Sequence, residues 1–82
     1  VSTWRWEAFD SSGTAMIADT LTDPFAETPT EAADLGMARL LIRVEPDYGQ
    51  LRGWRVRAWA DGCGEAWADA DEWLQVAEGS RR

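Results

Sequence analysis

The chain has 82 residues, enough for one domain, and a formal charge of −7 from fifteen acids against eight arginines, with no lysine and no histidine. That balance argues against general nucleic-acid binding and against anionic membrane surfaces, both of which need a positive footprint. Without histidine, Ser-His-Asp and Cys-His catalysis are excluded, and with Cys63 as the single cysteine so are an internal disulfide and the usual structural zinc sites.

The elements follow in chain order. Thr3 to Asp10 alternates as a strand, with Trp4, Trp6 and Ala8 on one face and Arg5, Glu7 and Phe9 on the other. Asp10-Ser11-Ser12-Gly13 carries a three-residue hairpin signature, with Gly13 at the left-handed position. Thr14 to Leu21 is the returning strand. Asp23 to Glu27 is a loop broken by Pro24, and Phe25 is expected to tuck under the helix that follows.

That helix, Pro29 to Val44, is the best-marked element. Thr28 caps it, Pro29 fits its first position, and Glu31 completes a capping box. Pro46 ends it by disfavouring helical geometry at Glu45. Ala33, Met37, Leu40, Leu41 and Val44 form one apolar stripe. Leu35, Ala38 and Ile42 form a second stripe on roughly the opposite side. The second stripe is either covered by another part of the chain or is a dimer seam.

After a polar, turn-rich connection, Trp54 to Asp61 is the clearest strand: Trp54, Val56, Ala58 and Ala60 alternate with Arg55, Arg57, Trp59 and Asp61. Asp61 to Gly64 is a second hairpin turn, and Glu65 to Asp71 reads as the returning strand. The segment around Glu72 to Ala77 is short and helical or irregular, and the tail from Gly79 is expected to fray. The expected fold is α+β: a ββαββ antiparallel sheet with one long helix across one face and a short C-terminal helix. A shift of fifty positions aligns the two hairpins, 4–21 and 54–71, placing Trp4 on Trp54, Arg5 on Arg55 and Ala8 on Ala58. Internal duplication and chance are both open readings of that match.

Trp4-Arg5-Trp6, a Ser-Gly turn, Ile17-Ala18-Asp19 and a capped, alanine-rich helix together resemble the YegP-like domains of unknown function. The resemblance covers about the first half of the chain and implies a hairpin followed by a helix, often in tandem, and intertwined dimers. The Gly-Glu-Gly-Tyr stretch of that family is replaced by Asp23-Pro24-Phe25. The acidic hairpin and Thr28-Pro-Thr-Glu-Ala run resemble, more distantly, the HicB-like antitoxins. Neither resemblance implies a catalytic residue, and no cofactor or metal is expected.

Trp4, Trp6 and Trp54 are expected in the core; each large ring removes roughly 150–250 Å² from water, which a thin core needs. Arg55, Arg57 and Trp59 lie on the opposite face and are candidates for a partner surface. Asp61, Glu65, Asp69, Asp71 and Glu72 are candidates for an acidic patch. Cys63, between two turn glycines, is expected to be exposed and inert. The expected function is non-catalytic protein–protein interaction by a homodimeric, cytoplasmic regulatory or accessory factor of bacterial composition. Two alternatives stand beside it: an acidic inhibitor that mimics nucleic acid on a basic protein, and a small-ligand binder with a Trp-lined pocket.

Overall fold

A computed structural model of the chain describes residues 3–23 and 25–79. Pro24 and the tail from residue 80 lie outside the described residues. The elements are strands β1 (Thr3–Phe9) and β2 (Ala15–Thr22), helix α1 (Pro29–Val44), strands β3 (Arg55–Ala60) and β4 (Gly64–Asp69), and helix α2 (Ala70–Gly79). The four strands form one antiparallel sheet in the order β2-β1-β3-β4. The expected α+β class and packing are what the structure shows, and α1 has the expected bounds.

Local chemistry sets each element. Asp10 closes the first hairpin: its Oδ1 accepts from the backbone N–H groups of Ser12 and Thr14 and from the Ser12 hydroxyl. Led by the Ser12 hydroxyl bond, these donors hold the Asp10 carboxyl below its usual value of 3.8. Gly13, at φ 87°, takes the left-handed position that the turn requires. At the start of α1, Thr28 Oγ1 accepts from the Glu31 N–H at 3.2 Å and donates to Glu31 Oε1 at 3.0 Å. Glu31 therefore grips the cap's hydroxyl, a variant of the expected box. Before Pro46, Glu45 has ψ 135°, which ends the helix.

Helix α1 packs on β1, β3 and β4. The sheet face beneath it carries Trp4, Trp6 and Ala8 from β1, Leu21 from β2, Val56 and Ala58 from β3, and Ala68 from β4, all buried. The helix adds Ala32, Ala33, Met37 and Leu40. Large rings face small neighbours: Trp6 pairs with Ala58, and Gly36 of α1 lies over Trp6 and Val56. The Trp4 indole N–H donates to the Ala26 carbonyl at 3.0 Å. The buried Trp6 Nε1 has no hydrogen-bond partner among the described residues.

Several local expectations change. Phe25 is 82% exposed, because Asp23 Oδ1 holds the Phe25 N–H while Trp4 draws Ala26 inward in its place. Trp54 precedes β3 and is half-buried. Cys63 is half-buried against the core edge. A 3₁₀ turn, Tyr48–Leu51, interrupts the polar connection and buries Leu51. Helix α2 starts directly at Ala70, where the Ala70 N–H reaches the Trp54 carbonyl and Asp71 Oδ1 accepts from the Gly53 N–H.

The second helical stripe is uneven. Leu35 is half-buried against the core and Ala38 is half-buried, whereas Ile42 is 69% exposed. No described helix is long and apolar enough to cross a membrane.

Candidate functional site

Since α1 occupies one face of the sheet, the opposite face is where strand alternation places every other side chain. Three rows cross it. Thr20, Arg5, Trp59 and Glu65 lie in register across the four strands, followed by Ala18, Glu7, Arg57 and Trp67, and then Ala15, Phe9, Arg55 and Asp69. No described helix packs on these rows.

The expected partner-face residues Arg55, Arg57 and Trp59 are together here. Arg57 stacks on Trp59, its guanidinium carbon 4.3 Å from the ring centroid. Arg55 stacks on Trp67 at 4.4 Å. Phe9 and Trp67 reach across β3 to bring their ring centroids within 5.5 Å. Arg57 also bonds Glu65 and lies 3.8 Å from Glu7, and Arg55 lies 3.5 Å from Asp69. Each exposed ion pair adds about 0–1 kcal/mol and each exposed cation–π contact about 0.5–1 kcal/mol. Their larger effect is to hold aromatic rings and guanidinium planes in fixed positions before any partner arrives.

Arg5 is the exception. It is exposed and makes no ion pair among the described residues. Its cross-strand neighbour is Trp59. A depression of about 320 Å³ beside them is lined by Arg5, Glu7, Ala18, Thr20 and Trp59, and by Trp6 and Asp19 of the helix-facing set. A second, of about 340 Å³, is lined by Thr3, Arg5, Trp59, Ala60 and Asp61.

The acidic candidates do not form one surface. Glu65 and Asp69 face Arg57 and Arg55 on the open face, and Asp71 is tied to Gly53. Asp61 lies in the β3–β4 turn, at the other end of β4 from Glu72 in α2. Among the described residues, no three Cys, Asp or Glu side chains converge as a metal site would require. The seam candidates Leu35, Ala38 and Ile42 belong to α1, on the far side of the sheet from the aromatic rows.

Sequence reasoning singled out neither Arg5 nor Phe9 nor Trp67 as a binding residue. The signal was present: Glu65, Trp67 and Asp69 alternate with Ala66 and Ala68 just as Arg55, Arg57 and Trp59 alternate with Val56 and Ala58. The pairing of β1 with β3, which brings the two hairpins' outer faces together, is not written in either hairpin alone. Compared with known proteins, the chain matches no family model, no curated protein and no solved structure.

Proposed function

We propose that this protein is a small non-catalytic interaction factor that engages a partner protein through the open face of its sheet. The supporting observation is the ordered layer of Phe9, Trp59 and Trp67 interleaved with Arg55 and Arg57, with no described helix over it. Tryptophan and arginine are the residues that most often dominate binding energy at protein interfaces. Rings already held by stacked guanidinium groups lose little freedom on binding. The lack of histidine supports a non-catalytic role.

The test is affinity capture from the native host with the wild-type chain and with a Trp59→Ser/Trp67→Ser variant, both checked for fold by circular dichroism. A protein retained by the wild type and lost by the variant is the expected result. Equal retention by both contradicts the reading.

Dimerisation through the second stripe of α1 belongs to the same proposal, since Ile42 leaves an apolar side chain 69% exposed on a short domain. Light scattering is expected to give twice the 9.2 kDa chain mass for the wild type and the single mass for Ile42→Asp. A wild-type particle of single mass at tens of micromolar contradicts the dimer and leaves the sheet face untouched.

A further inference from the structure

We infer that the trough beside Trp59 receives a short extended segment of the partner, with a carboxylate of that segment on Arg5 and an adjacent apolar side chain against the Trp59 indole. This rests on the open face being the partner surface.

Charge complementarity points to the carboxylate. On this face Arg55 and Arg57 are already neutralised by Asp69, Glu65 and Glu7, whereas Arg5 has no ion pair among the described residues. Glu7, the acid in the trough, is engaged by Arg57, and Asp61 at its far end makes no ion pair with Arg5. The unmet charge on the face is therefore a guanidinium beside an indole. A carboxylate can accept paired N–H bonds from it, and an apolar neighbour would shield those bonds from water.

Shape points to an extended chain. The two depressions, of about 320 and 340 Å³, meet at the Arg5–Trp59 pair. Together they follow β1 from Glu7 to Thr3, a run of about 13 Å at strand rise. One wall is the Trp59 ring; the opposite shoulder, Ala18 and Thr20 on β2, is low because those side chains are short. Such an open trough suits about four residues of extended chain better than a compact molecule, which needs to be enclosed on most sides. A nucleic-acid strand fits poorly, because one arginine without an ion pair among the described residues does not track a phosphate backbone.

The experiment selects binders from a phage-displayed library of random peptides on the immobilised full chain, then titrates synthetic versions by tryptophan fluorescence. Enriched peptides are expected to carry Asp or Glu beside an apolar residue. Their affinity is expected to fall about tenfold or more with Arg5→Gln, and to hold with Arg39→Gln, an exposed arginine of α1. Thr20→Trp, which fills the trough from its low side, is expected to weaken them as well.

Enrichment without acids, or no enrichment, overturns the inference. So does displacement of the peptides by single-stranded oligothymidylate at matching concentration, or a wild-type dimer that Arg5→Gln converts to monomer, which would make a second copy the occupant. Wild-type affinity in Arg5→Gln with loss in Trp59→Ser overturns the role of Arg5 and leaves the partner face standing. Binding indifferent to both substitutions overturns both.

Discussion

Trp6→Ala is expected to lower the free energy of unfolding by about 3–5 kcal/mol, the usual effect of removing a large buried ring. The Trp6 side chain is 1% exposed, beneath Gly36 of α1 and opposite Ala58 of β3. Gly36 and Ala58 are small, and Arg43, whose guanidinium lies 5.7 Å from the ring centroid, is paired with Asp19 at 2.9 Å, so little can move in to fill the void. A domain of this length has about 4–12 kcal/mol of stability in total, so the variant is expected to be largely unfolded in mild urea. Trp67→Ala is the matched comparison from the other face. Trp67 is 43% exposed and contributes its Arg55 and Phe9 contacts, so its loss is expected to cost about 1–2 kcal/mol. Urea melts of both variants measure the difference. Equal losses would mean that the two faces of the sheet have been misassigned.

Gly36→Val is expected to cost about 2–3 kcal/mol, although valine is the better helix former by a few tenths of a kcal/mol. A β-carbon at Gly36 would lie 3.1 Å from Val56 Cγ1 and 3.2 Å from Trp6 Cγ. Both neighbours are fully buried and neither has a free end to swing away. The branched methyl groups of valine must then lift α1 off β1 and β3. Gly36→Ala places one carbon at those distances and is expected to lie between glycine and valine in a thermal melt. A valine variant as stable as the wild type would show that the helix–sheet spacing adjusts freely, contrary to a close-packed core.

The helix was the most legible part of the chain because its ends are chemical. Thr28, Pro29 and Glu31 mark the start and Pro46 the end, and the structure agrees to the residue. The strands were legible from alternation, with small differences where tertiary bonds decide the ends. Helix α2 starts two residues before the expected Glu72 because the Ala70 N–H and the Asp71 carboxylate are tied to Trp54 and Gly53.

Partnerships distant in sequence were not legible. Alternation assigns Phe9 and Trp67 to outer faces, but only the β1–β3 pairing brings their rings together across Arg55 and Arg57. The acids looked like one patch because they are close in sequence. In the sheet, Glu65 and Asp69 lie beside arginines of β3, while Asp71 serves the backbone. Phe25 read as a core residue from its type alone. Its fate is set by Trp4, whose indole takes the carbonyl of the next residue, Ala26, and turns that one inward. Arg5 does not stand out as a binding residue because an arginine in an alternating strand is ordinary; its interest is that Arg55 and Arg57 on its face have acids and it has no ion pair among the described residues.

The six tryptophans give a direct readout of which face binds, because each indole N–H has its own proton–nitrogen resonance. With the captured partner added to isotope-labelled protein, the Trp59 and Trp67 indole signals are expected to shift or broaden, while buried Trp4, bonded to Ala26, keeps its position. Perturbation confined to the backbone of α1, with Trp59 and Trp67 unmoved, would contradict binding at the open face of the sheet.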